Sequence, residues 1–87
     1  MNTHKRILVV DDEPDICEML REILEMEGFS VETATRSENA FELVRENPPD
    51  IAVLDVVLKD DINGVEIFKK IKSMSPDTKT VMMTAFS

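Results

Sequence analysis

Two kinds of apolar period alternate along this chain. Ile7-Leu8-Val9-Val10 is a short, mostly β-branched run with no polar interruption, the pattern of a strand covered on both faces. After Asp11-Asp12-Glu13 the period changes. Ile16, Met19, Leu20, Ile23 and Leu24 recur at i, i+3, i+4, i+7 and i+8, which predicts an amphipathic helix with Glu18, Arg21, Glu22 and Glu25 on its wet side. Pro14 suits the first turn of that helix, Asp12 or Glu13 is available to cap it, and Asp15 lies near the positive end of its dipole. Gly28 stops it as a C′ residue.

Phe29, Val31 and Thr33 then alternate with Ser30 and Glu32, which predicts a second strand. Ser37 is placed to cap a second helix with Ala40, Phe41, Leu43 and Val44 inward, ended by Asn47-Pro48-Pro49. Ile51–Leu54 is a third strand, apolar throughout, and it too ends in a carboxylate, Asp55. A loop from Val56 to Asn63 carries Lys59, Asp60 and Asp61. A third helix follows Gly64, with Val65, Ile67, Phe68, Ile71 and Met74 inward. Ser75-Pro76-Asp77 reads as a turn, and Thr80–Thr84 as a fourth strand. The order β-α-β-α-β-α-β predicts an α/β fold in which helices cross over a parallel sheet. No repeat, low-complexity segment or linker divides residues 1–87, so one domain is expected.

Composition narrows the possible functions. With 10 basic and 18 acidic residues the net charge is −8, which sets the surface against a phosphate backbone and away from direct nucleic-acid binding. The longest apolar runs are far short of the ~20 residues a spanning helix needs. No basic segment followed by an apolar one opens the chain, so a cytoplasmic location is expected. Cys17 is the only cysteine and cannot form an internal disulfide, which agrees with a reducing compartment.

The chemistry lies where the apolar runs stop. In an open parallel sheet, ligands bind beyond the carboxyl ends of the strands, where strand order reverses. Asp11 and Asp12 follow the first strand and Asp55 the third; if those strands are neighbours, three carboxylates converge on one rim. Acids also cap strand ends and helix starts without any ligand, a reading that suits Asp12, Glu13 and Asp15 better than Asp55, after which no helix begins at once. Gathered acids need a compensating cation, and hard oxygen donors suit a divalent ion such as Mg²⁺.

"ILVVDDEP", "IAVLDVVL" with Asp55, Asn63-Gly64, and "VMMTAF" with Thr84-Ala85 together resemble the receiver domain of two-component response regulators, over the whole chain. The resemblance implies a flavodoxin-like doubly wound sheet with strand order 2-1-3-4, here without the last helix, strand and helix. It implies that Asp55 is the phospho-acceptor, taking a phosphoryl group from the phosphohistidine of a sensor kinase or phosphotransfer protein. It implies Mg²⁺ as cofactor, held by Asp12 directly, by Asp11 largely through water, by Asp55 and by the backbone carbonyl of Val57. Thr84 resembles the switch hydroxyl, and Ala85 the small residue that leaves the pocket open. Such a domain promotes its own phosphorylation and is not a turnover enzyme.

Some features depart from the family pattern. Lys59 stands where a proline is usual, and the loop to Asn63-Gly64 runs one residue longer. The fifth-strand lysine and aromatic residue have no counterpart, and Lys59, Lys69, Lys70, Lys72 and Lys79 lie in the wrong elements to replace that lysine. Thr80–Phe86 is uncharged, β-prone and free of proline, so as an edge strand it is expected to pair with another copy of the chain. The alternative reading is therefore an interaction or dimerisation module with impaired phosphorylation. An aspartyl-phosphate phosphatase would need a second aspartate at position 57, which is Val57. A nucleotide- or flavin-binding domain lacks its Gly-rich loop, since Gly28 and Gly64 are the only glycines. His4 reads as solvated, Cys17 as a small core residue, the methionines as core, and Glu18, Glu22 and Glu25 as a wet helix face.

Overall fold

Residues 5–55 and 64–83 are described by a computed structural model of the chain. Four strands, β1 (Arg6–Val10), β2 (Ser30–Ala34), β3 (Ile51–Asp55) and β4 (Lys79–Met83), alternate with three helices, α1 (Pro14–Met26), α2 (Ser37–Glu46) and α3 (Gly64–Met74). All strand pairs are parallel and the sheet order is β2-β1-β3-β4, as the resemblance implies. Strand order reverses between β1 and β3. The fourth strand begins one residue earlier than expected, at Lys79, and Thr84 lies outside the described residues.

The unbroken apolar run of β1 has its physical reason in two packed faces. Leu8 and Val10 join Ala52 and Leu54 on one face, closed by Ala40 and Val44 of α2 and by Ile67 and Ile71 of α3. Ile7 and Val9 join Val31 on the other, closed by Cys17 of α1 with Leu20 and Leu24. The two faces are not equally covered. Ile51 and Val53 of β3 point to the α1 side and remain half-buried, so this strand is less enclosed than its apolar run suggests.

Helix phase corrects several sequence expectations. In α1 the sheet receives Cys17, Leu20 and Leu24, while Met19 and Ile23 are 48% and 50% exposed. The stripe of five apolar positions is wider than the contact it makes, and its outer edge faces solvent. In α3 the buried line is Gly64, Ile67 and Ile71; Val65, placed inward by pattern, is roughly 200° around the helix from Ile67 and is exposed. Cap expectations also change. Arg36, not Ser37, occupies the N-cap position of α2, and Ser37 is its buried first residue. Glu13, one of the two expected residues, is the N-cap of α1, but its own side chain makes no capping hydrogen bond.

The C-terminus of α1 is as expected. Gly28 has φ +99°, its N–H donates to the Glu25 carbonyl (3.0 Å), and the Phe29 N–H donates to the Leu24 carbonyl (3.1 Å). This pair of bonds closes the helix and aims Phe29 into β2. At the opposite end of the sheet from the acidic rim, the buried Thr78 hydroxyl donates to the Pro49 carbonyl (2.7 Å) and accepts from the Ser75 hydroxyl (2.7 Å). That link ties the turn before β4 to the turn before β3.

Candidate functional site

Because β1 and β3 are adjacent and Val10 pairs with Leu54, the next residues along both strands, Asp11 and Asp55, leave the sheet side by side. The main chain holds the first of them in line: the Asp11 N–H donates to the Ala34 carbonyl of β2 (3.1 Å), extending the ladder one residue past β1. The Asp11 carboxylate then folds back and accepts the Glu13 N–H (2.9 Å), a turn that reverses the chain into Pro14 and α1. Asp12 sits at the apex of this turn.

The three carboxylates do meet. Ligand oxygens of Asp11, Asp12 and Asp55 all lie within 4.8 Å of one another, with Asp11 buried and the other two half-buried. Asp11 is 5% exposed, and burial is the main reason its carboxyl is pushed above the ordinary aspartate range. The Glu13 N–H pulls in the other direction, and the neighbouring charges of Asp55 and Asp12 push the same way as burial. A buried acid crowded by two others is under electrostatic stress that a divalent cation relieves, and an all-oxygen donor set of this size suits Mg²⁺. The residues present therefore fit that ion.

The expected convergence of the three acids on one rim is met, because Asp11 and Asp12 directly follow the apolar run of β1 and Asp55 that of its neighbour β3. Val57, Thr84 and Ala85 lie outside the described residues, as do His4, Lys59, Asp60 and Asp61. Two exposed lysines of α3 are engaged locally: Lys70 Nζ lies 4.8 Å from the Phe41 ring centroid, and Lys72 Nζ donates to the Pro76 carbonyl (3.4 Å). One contact at the site had no sequence signal. Cys17, 3% exposed, directs its Sγ to the Asp11 carbonyl at 3.3 Å and to the Ala34 carbonyl at 3.9 Å. Burial pushes its thiol pKa up, and the nearby Asp11 charge adds to the shift.

The response regulator receiver domain matches this chain over residues 7–87. The chain belongs to that family. It is 38% identical over 79 residues to the probable transcriptional regulatory protein TcrX of Mycobacterium tuberculosis, covering 91% of this chain and 33% of TcrX. It is 39% identical over 80 residues to the response regulator MprA of a Mycobacterium species, covering 92% of this chain and 34% of MprA. Among solved structures, a CheY-like receiver domain protein from Methanospirillum hungatei superposes with a TM-score of 0.91 at 32% identity, covering 98% of this chain and 67% of that one. The chain thus spans about a third of the length of the curated relatives it matches. Receiver domains are the signalling modules of two-component systems, and their partners are histidine kinases or phosphotransfer proteins. Among the described residues, no helix is long and apolar enough to cross a membrane.

Proposed function

We propose that this receiver accepts a phosphoryl group on Asp55 from the phosphohistidine of a sensor kinase or phosphotransfer protein, with Mg²⁺ held at the acidic rim. The observation that carries the reading is the convergence of three carboxylates within 4.8 Å at the ends of two adjacent strands. Asp55 is the last residue of β3, fixed at its base by the buried Leu54 and Ala52 and left half-buried at its carboxylate, so a donor can approach it. One carboxylate oxygen attacks phosphorus, the P–N bond to the donor imidazole breaks with its electron pair staying on nitrogen, and an aspartyl phosphate forms. Asp12 is the direct metal ligand and Asp11 acts largely through water. Bound Mg²⁺ supplies neutralisation of the phosphoryl oxygens. The roles of Thr84 as switch hydroxyl, Ala85 as pocket residue and the Val57 carbonyl as metal ligand rest on the sequence resemblance alone.

The test is incubation of the chain with a small acyl-phosphate donor. Mg²⁺-dependent incorporation is expected at Asp55, with none in Asp55→Asn and none in excess EDTA. Labelling of Asp55→Asn at the wild-type level would end this reading.

A specific observation supports the interaction-module alternative. Among the described residues β4 pairs on one side only, with β3, and Val81 in its middle is 49% exposed. We propose that the 87-residue chain self-associates by pairing of β4 with β4 of a second copy. Light scattering is expected to give a mass above that of a monomer at micromolar concentration, reduced by Val81→Lys; a monomer throughout that range overturns it.

A further inference from the structure

The acidic pair is braced from below by a residue that no pattern in the sequence marks. Pro14 starts α1 directly after the acids, and the Cys17 N–H donates to the Glu13 carbonyl (3.1 Å), which sets the first helical turn over the ends of β1 and β2. That phase leaves the Cys17 side chain pointing at two main-chain oxygens, Asp11 at 3.3 Å and Ala34 at 3.9 Å. The same two residues are joined by the Asp11 N–H to the Ala34 carbonyl. An apolar side chain of similar size would place a methyl group against both carbonyls, whereas a thiol offers a weak donor in the same space.

We infer that Cys17 is a positioning residue of the acidic rim, its buried thiol fixing the Asp11 main chain so that the Asp11 and Asp12 carboxylates are held at the spacing a divalent cation requires. The inference rests on the metal reading proposed above. Asp11 is then restrained at three points: its N–H by Ala34, its carbonyl by Cys17, and its carboxylate by the Glu13 N–H. Removing one restraint leaves the acids present but looser. Outer contacts of this kind tune metal affinity in other sites by about 10–100-fold; for a sulfur donor the lower end applies.

The test compares wild type with Cys17→Ala, Cys17→Val and Cys17→Ser, each first checked for folding by circular dichroism. The dissociation constant for Mg²⁺ alone is measured by calorimetric titration. Loss of the donor in Cys17→Ala and Cys17→Val is expected to weaken binding by about tenfold, and Cys17→Ser, which keeps a donor, to return it to within about twofold of wild type. Cys17→Val covers the case in which the smaller alanine fails to fold. A second readout needs no metal: amide exchange at Asp11 and Glu13 is expected to quicken in Cys17→Ala and Cys17→Val while the Thr78 and Lys79 amides at the far end of the sheet are unchanged. If wild type binds no Mg²⁺, the metal reading fails and amide exchange alone decides the positioning role. Wild-type affinity and exchange in both donor-less variants overturn the inference. Equal weakening in all three variants, or exchange raised uniformly through the chain, also overturns it, because packing and not the thiol's hydrogen bond is then responsible.

Discussion

Asp11 binds its proton more tightly in the folded chain than an ordinary aspartate does, because burial and the charges of Asp55 and Asp12 outweigh the help of the Glu13 N–H. The sign of the linkage follows. A carboxyl whose folded pKa is raised favours the folded state most below its unfolded pKa of about 4, and that contribution is lost as pH rises through the folded pKa. Without divalent ions, ionised Asp11 is thus a liability at neutral pH. Asp11→Asn keeps an oxygen for the Glu13 N–H and removes the charge, so the variant is expected to be more stable than wild type at pH 7 in EDTA, the gap narrowing towards pH 4. Urea unfolding across that range checks it. Saturating Mg²⁺ should reverse the order, since a ligand at 100 times its dissociation constant stabilises by about 2.7 kcal/mol and the variant binds it less well. At this scale the three acids were legible in the sequence because Asp11 and Asp55 each follow an apolar run and Asp12 is next to Asp11. The Cys17 thiol was not, because its target is a main-chain oxygen whose position depends on the phase of α1 against the end of β1.

Elements were legible where punctuation was strong and less so where phase decided. Asn47-Pro48-Pro49 ends α2 as read, since the residue before a proline leaves the α region and Pro49 lacks a donor. Gly28 ends α1 for a conformational reason alone: a Cβ there would meet no atom within 4 Å, yet φ is +99°. Gly28→Ala is therefore expected to cost about 1–2 kcal/mol through backbone strain rather than collision. Gly28→Asn should recover part of that, since asparagine tolerates the left-handed region better. Chemical denaturation of the two variants checks both. The inward set of α3 was less legible. Gly64, Ile67 and Ile71 form its buried line, and nothing in the composition of Val65 says that it lies on the other side. The same holds for Met19 and Ile23, whose apolar character predicted burial while the packing of Cys17, Leu20 and Leu24 turned them outward.

Across the whole molecule, the alternation of apolar runs and amphipathic stretches was enough to give a parallel sheet with helices on its faces, but not how fully each face is closed. On the α2–α3 side Leu8, Val10, Ala52, Leu54, Ile67 and Ile71 are each at most 1% exposed. On the α1 side, among the described residues, a single helix covers β1 and β2, Ile51 and Val53 of β3 stay half-buried, and Val81 of β4 is 49% exposed. Mutational sensitivity should follow this asymmetry strand by strand. Leu54→Ala removes a fully enclosed side chain one residue before Asp55, and the cavity it leaves has rigid walls on both helices, so a loss of about 3–5 kcal/mol is expected. Val81→Thr, at the position of β4 paired with Val53 on the open face, changes a side chain that already touches water and should stay within about 0.5 kcal/mol. Val53→Ala, next to Leu54 but pointing to the α1 side, should fall between them. The ranking Leu54, Val53, Val81 in urea unfolding is thus a direct readout of which face carries the fold. Equal losses at Leu54 and Val81 would show that the open side is as enclosed as the other.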